Sequence, residues 1–391
     1  MNAGLTADEA PVLFEERSAG NGMRIGIATL NAARTLNGFS LPMAHLLHER
    51  LLAWAEDAGI ALVVLQGAGE KAFCAGGDLH SLYQSMRRFR EDGRSDIRDN
   101  TYAAEFFDVE YRVDHLIHSF PKPVLCWGHG IVMGGGIGLM SGASHRVVSE
   151  RSKLAFPEIT VGLFPDVGGS WLLQRVPGRA GLFLALTGAL LNPGDAIYAG
   201  LADLHVAEAR RGEVFNALLD VAWSGEPDDT AARLTALLQS FASDAPTGPL
   251  LANAALIDEL CDGAVLETIV ERIGALQTDD AWLQAAQKTL ATGAPGSARL
   301  GFELQRRCAG MDLAAVFRTE YTVALHCAAH GDFAEGIRAL LIDKDRNPAW
   351  QPATLAEASS DWAEAFFISP WPADQHPLAD LGLPALERSL A

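Results

Sequence analysis

The sequence predicts an α/β fold over its first half, followed by a largely helical C-terminal region. Three observations carry that prediction. Short apolar segments with strand patterning alternate with amphipathic helical segments up to about residue 150. Glycine-rich turns close several of those strands, and from about Gly178 the chain changes to Ala- and Leu-rich segments with helical spacing.

Taken in order, "MRIGIATLN" reads as a strand, and "LPMAHLLHERLLAWAEDAG" places Leu46, Leu47, Leu51, Trp54 and Ala55 on one helical stripe. "IALVVLQG" is a short apolar strand ending in glycine. Two more strands follow at "PVLCWGHG" and "HRVVSE", separated by the turn "MGGGIGLMSG". Strands joined by helical crossovers imply a parallel sheet. The second half is interrupted by "SGEPDD" and "SDAPTGP". A boundary is therefore drawn near residue 210, with residues 1–210 as the α/β core and residues 211–391 as the helical region.

Composition bounds the function. The formal charge of −19 excludes nucleic acid as an expected partner, because phosphate binding needs a dense positive field. The one basic knot, "MRRFR" with Arg87, Arg88 and Arg90, reads as a solvated helix face or as a contact for an anionic ligand. No apolar run reaches the length of a membrane span, and the N-terminus carries Asp8, Glu9, Glu15 and Glu16 in place of a basic leader, so a cytoplasmic chain is expected. Five cysteines without C-x-x-C spacing indicate free thiols. His326 and His330 share a helical face, but no carboxylate stands at ligand spacing, so packing and no metal is the expectation.

Two glycine turns and two acids bear on chemistry. In "VVLQGAGEKAFCAGGDLHSLY", Gly67, Gly69 and Ala72 match G-x-G-x-x-[GA], yet the next helix is postponed to Asp78 or Leu79, which a dinucleotide turn does not allow. The alternatives are a plain tight turn, or a turn in which Ala75-Gly76-Gly77 brings backbone N–H groups close to a ligand and Asp78 caps the helix. In "HGIVMGGGIGLMSG", Gly134 to Gly136 lie between a strand and a helix start, where N–H donors are unpaired. Two such turns can supply two N–H groups to one oxygen, which is how an oxyanion hole is built. Close packing is the other reading, preferred for Gly138 and Gly142. Glu158 and Asp166 each follow a Phe-Pro pair in an apolar stretch, a setting that raises a carboxyl pKa or demands a partner. Either acid could equally be a helix cap.

"KAFCAGGDL", "HGIVMGGGIGL" and "FPEITVGLFPDVGGSWLL" resemble, in order and separation, the enoyl-CoA hydratase/isomerase (crotonase) superfamily. "EYRVDHLIHSFPKPVLCWGHG" and "FRTEYTVALHCAAHGDFAEGIRALLIDKDRNPAWQPATL" extend the likeness over nearly the whole chain, and within the superfamily it looks most like the 3-hydroxyisobutyryl-CoA hydrolase group. The resemblance implies a crotonase-like spiral of ββα repeats in residues 1–210 that binds acyl-CoA, covered by the helical residues 211–391. It implies that the thioester carbonyl is held by the N–H groups of Gly77 and Gly135, and that Glu158 and Asp166 flank the scissile carbon as catalytic acids. Glu110, which by itself reads as an exposed helical charge, would meet the substrate together with Gly135, Glu158 and Asp166. The implied reaction releases CoA and 3-hydroxyisobutyrate, a step of valine catabolism, with no cofactor beyond the CoA of the substrate. Homo-oligomers are common in the superfamily. One departure matters: the second glutamate that hydratases of the family place after the triple glycine is Gly138 here. The rival expectations are a hydratase or isomerase using Glu158 as its only base, and a non-catalytic scaffold.

Overall fold

The computed structural model describes residues 10–383; Asp8 and Glu9 of the acidic N-terminus lie outside the described residues. The chain divides into two compact units, each assembled from separate stretches: the first from the segment ending at Gly77, Val113–Leu154 and Leu191–Leu251, the second from Asp78–Arg112, Ala155–Leu190 and the segment beginning at Ala252. This interleaving differs from the single boundary near residue 210 drawn from the sequence. Its physical reason is in the packing of the helices Arg211–Asp220 and Pro227–Phe241, which bury Val214, Leu218, Leu234 and Leu238 against the sheet residues Ile25, Ile27, Leu62, Val64, Leu125 and Val147. Each such buried leucine is worth about 1.5–3 kcal/mol over an exposed one, enough to hold the helices to the sheet they cover.

The strands are β1 (Val12–Ser18), β2 (Arg24–Leu30), β3 (Ile60–Gly67), β4 (Ala72–Cys74), β5 (Val124–Gly128), β6 (Ile131–Met133), β7 (His145–Val148), β8 (Lys153–Ala155) and β9 (Leu204–His205), all within the first unit except Ala155 at the end of β8. Six of them form a sheet in the order β1-β2-β3-β5-β7-β9, and the other three a sheet in the order β4-β6-β8. β1 and β2 are an antiparallel hairpin, whereas β2, β3, β5, β7 and β9 run parallel, with Val63 opposite Val124 and Cys126 opposite Arg146. Parallel strands are covered on both faces, which is why β3 and β5 read as continuous apolar runs and are buried almost throughout. The helix Leu41–Glu56 starts where the Ser40 hydroxyl accepts from Met43 N and Pro42 fills the first turn. It buries Met43, Leu47, Leu51 and Trp54, the 4-4-3 spacing of a core stripe, while Leu46 sits on the flank and is exposed.

The second unit is mostly helical. Its central element is the helix Leu313–His330, started by the Asp312 side chain accepting from Ala315 N and buried nearly all round through Val316, Phe317, Tyr321, Val323, Ala324 and Ala328. Around it, Phe106, Phe107 and Tyr111 come from the helix Thr101–His118, and Leu82, Met86 and Phe89 from Leu79–Glu91. Asp78 caps that last helix, its carboxylate accepting from Ser81 N at 3.2 Å. Among the described residues, no helix is long and apolar enough to cross a membrane.

Two glycines test this packing in opposite senses. A Cβ on Gly136 would stand 2.2 Å from the Cys74 carbonyl oxygen, a backbone atom of the neighbouring strand, whereas one on Gly274 meets nothing within 4 Å. Gly136→Ala should lower stability by about 1–3 kcal/mol or more, and Gly274→Ala should raise it by up to about 1 kcal/mol. Thermal melts followed by circular dichroism check both, and an unchanged midpoint for Gly136→Ala would contradict the close approach.

Candidate active site

The glycine turns of the first unit are brought side by side by strand pairing. β4 and β6 are parallel neighbours, with Ala72 opposite Ile131 and Cys74 opposite Val132, so the turns that follow them leave from the same edge. After β4 the chain turns through Gly76 at φ 104, a conformation that L residues rarely adopt. Phe39 N donates to the Gly76 carbonyl at 2.8 Å and Ala75 N to that of Leu36 at 3.1 Å, which pins the turn. After β6, Gly134 at φ 50 leads into the helix Gly135–Ser141. A Cβ on Gly76 would lie 3.3 Å from the Met133 carbonyl oxygen and 3.9 Å from Gly135 N. Only glycines allow the two turns to come this close.

Gly135 is the first residue of its helix, and so its N–H has no acceptor within the helix. Neither Gly77 N–H nor Gly135 N–H donates to another backbone group among the described residues. These are the donors expected for an oxyanion. Gly138 N–H, by contrast, is spent on the Gly134 carbonyl at 3.2 Å, and Gly142 has the packing role expected of it, since a Cβ there would stand 2.7 Å from His118 N. No carboxylate lies on the helix Gly135–Ser141.

The acids named by the motifs belong to the second unit. Glu158 opens a single 3₁₀ turn, Glu158–Thr160, after Pro157, and its carbonyl accepts from Val161 N and Leu163 N. Asp166 precedes the short helix Gly169–Leu172, whose cap is Gly168; the Asp166 side chain is not a cap and instead accepts from the Tyr111 hydroxyl at 2.9 Å. Both carboxyls are buried, at 5% exposure each. Glu110, next to Tyr111 on the helix Thr101–His118, is buried as well, at 3% exposure, which corrects the exposed helical charge read from its sequence context. Beside it, the Tyr111 ring packs on Phe107 of the same helix at 5.8 Å and on Phe317 of the helix Leu313–His330 at 5.3 Å.

Burial sets the electrostatics. It pushes the Asp166 carboxyl up to about 7, against the Tyr111 hydrogen bond that favours the ionised form. It raises Glu158 well above the usual carboxyl range, with the charge of Asp166 and then that of Glu320 adding to the effect. Glu158 Oε2 has no hydrogen-bond partner among the described residues. The Tyr111 phenol is raised too, first by burial and then by the charge of Asp166, so it stays a hydrogen-bond donor. Burial and the like charge of Asp166 thus act on Glu158 in the same direction, both favouring its protonated form.

Two members of this group were not legible as site residues. Tyr111 carries no motif. Glu320 did leave a signal: in "AVFRTEYTVALHCAA" it sits three residues after Phe317 and four before Ala324, on the apolar stripe of its helix. The other candidates have ordinary surroundings. Arg87 pairs with Glu91 at 2.7 Å and Arg90 donates to the Gly331 carbonyl, while Arg88 lines an open cleft of about 360 Å³ with His80, Gln84 and Tyr102. The His326 and His330 rings lie 5.9 Å apart, His326 facing the Ile368 carbonyl at 2.9 Å. Among the described residues, no three His, Cys, Asp or Glu side chains are placed to hold a metal ion.

Known proteins are similar to this chain over most of its length. The profile of the family described as enoyl-CoA hydratase/isomerase matches residues 25–367. A relative from Danio rerio named "3-hydroxyisobutyryl-CoA hydrolase, mitochondrial" is 36% identical over 359 residues, covering 92% of this chain and 89% of the relative. The Homo sapiens protein of the same name is 33% identical over 337 residues, covering 86% and 84%. Among solved structures, an enoyl-CoA hydratase from Rhodobacter sphaeroides 2.4.1 superposes with a TM-score of 0.79 at 34% identity, over 91% of this chain and 97% of that one. A carnitinyl-CoA dehydratase from Mycobacterium thermoresistibile gives a TM-score of 0.80 at 33% identity, over 94% and 98%. The fold expected from the motifs is the fold found, and the chain belongs to the enoyl-CoA hydratase/isomerase family.

Proposed function

We propose that this chain hydrolyses a 3-hydroxyacyl-CoA thioester, 3-hydroxyisobutyryl-CoA foremost, to CoA and the free hydroxy acid. The observation that carries the reading is the buried pair Glu158 and Asp166, with Tyr111 donating to Asp166, in a chain 32–36% identical to hydrolases of that name. The reaction changes no oxidation state, and CoA enters as part of the substrate.

In this reading the thioester oxygen accepts from Gly77 N–H and Gly135 N–H as the carbonyl carbon becomes tetrahedral. Each donor contributes about 3–4 kcal/mol to the transition state because it is fixed beforehand by its turn. Ionised Glu158 either takes a proton from the water that attacks the carbon, or attacks it and forms a mixed anhydride that water opens. Collapse breaks the carbon–sulfur bond, and the departing thiolate takes a proton from the acid pair. Asp166, held by Tyr111, orients Glu158 and shares that proton. Glu110 accepts from the substrate 3-hydroxyl, which is the group that distinguishes these acyl chains.

A second reading is favoured by the hydratase and dehydratase titles of the solved relatives. Addition of water across a double bond, in the paired-glutamate form the motifs imply, needs an acid where this chain has Gly138, on a helix without a carboxylate. Incubation with 3-hydroxyisobutyryl-CoA and with crotonyl-CoA separates the two, since only hydrolysis frees a thiol for a thiol-reactive dye.

Glu158→Gln should lower thiol release about a thousandfold or more while CoA binding, read by calorimetry, stays close to wild type; undiminished release would sink the hydrolase assignment. Gly135→Pro removes one oxyanion donor at a position where proline fits a helix start, and should slow turnover about a hundredfold. A fully active Gly135→Pro enzyme would show that the donor lies elsewhere.

A further inference from the structure

The turn that carries Asp166 is held by a residue more than 150 positions downstream. Val167 stands at φ 55 and Gly168 at φ 79. Two consecutive left-handed residues are unusual, and for a β-branched side chain such as Val167 this conformation persists only where its surroundings impose it. The surroundings here are the Glu320 carboxylate, fully buried in the middle of the helix Leu313–His330, whose Oε2 accepts from Gly168 N at 2.7 Å and Oε1 from Ser170 N at 2.8 Å. Between those two donors, Gly169 N closes the turn on the Asp166 carbonyl at 2.7 Å.

The same helix reaches the other end of Asp166. Phe317, three residues before Glu320 and so on the same face, packs on the Tyr111 ring at 5.3 Å, and Tyr111 holds the Asp166 carboxylate. Leu313 and Phe317 also line the space beside Gly168. One helix thus fixes the backbone that presents Asp166 and the donor that orients its carboxylate.

We infer that Glu320 is a positioning residue for the Glu158–Asp166 pair: its two-pronged hold on Gly168 and Ser170 fixes the left-handed turn that presents Asp166. The inference rests on the hydrolase reading above. The titratable groups that feel Glu320 are Glu158, Asp166, Tyr111 and Cys308.

The test compares Glu320→Gln and Glu320→Asp with the wild-type enzyme in the thiol-release assay across pH. Glu320→Gln loses one of the two acceptors. Its kcat should fall about tenfold or more with KM within about twofold. Glu320→Asp keeps both acceptor oxygens but withdraws them by one methylene, so its kcat should fall as well. A kcat for Glu320→Gln within about threefold of wild type, or a rise in KM in place of the loss of kcat, overturns the inference. If Glu320→Gln does not fold, Glu320→Asp decides: a wild-type kcat in that variant overturns the positioning role. Glu158→Gln keeps the outcomes apart, because retained thiol release there fails the hydrolase reading itself, whereas an inactive Glu158→Gln beside a wild-type-like Glu320→Gln fails only this inference.

Discussion

Keeping carboxyl groups out of water is the constraint on which the site depends. Glu158, Asp166 and Glu320 are each 5% exposed or less, in a unit built mainly of apolar helices. An isolated ionised carboxylate in such a place costs many kcal/mol, so each acid must keep a proton or find donors. Both happen. Burial pushes Asp166 up to about 7 and Glu320 up to about 8, while Tyr111 donates to one and two backbone N–H groups to the other. Carboxyl groups that keep their protons into the neutral range follow from where these residues are buried, with no unusual chemical group.

In the proposed hydrolysis the backbone meets the complementary demand, donors that are in place before negative charge develops. β4 and β6 end together, and their turns are glycines because a side chain would strike the neighbouring strand; the 2.2 Å between Cys74 O and a Cβ on Gly136 leaves no room. Donors held this way do not reorganise during the reaction, and that is what makes them effective toward a developing oxyanion. The substitution of Gly138 for a carboxylate then narrows the chemistry, since the helix Gly135–Ser141 offers N–H groups and no second acid.

Much of this was legible in the sequence, for local reasons. β2, β3, β5 and β7 stand where apolar runs bounded by turns predicted them, and Asp78 caps the helix it was expected to cap. Glu158 and Asp166 stand out because an acid directly after Phe-Pro in an apolar run needs a partner or a raised pKa, although a helix cap explains such an acid equally well, and only the resemblance pairs them. What was hidden depends on contacts between distant stretches. Glu110 reads as exposed because its own helix cannot show what packs on it, and Tyr111 becomes a site residue only when Asp166 is folded against it, 55 positions away. The interleaved units escape a linear reading for the same reason: residues 191–251 are helical in composition, yet their apolar faces belong to the sheet.

The central claim, that buried acids hold protons in the neutral range, is tested most directly by carbon-13 NMR of the side-chain carboxyls, with Asp166 and Glu158 assigned through Asp166→Asn and Glu158→Gln. The account predicts an Asp166 resonance that titrates near 7, and a Glu158 resonance still protonated when surface carboxyls have ionised. Complete ionisation of both carboxyls below about pH 5, within the ordinary carboxyl range, would contradict it.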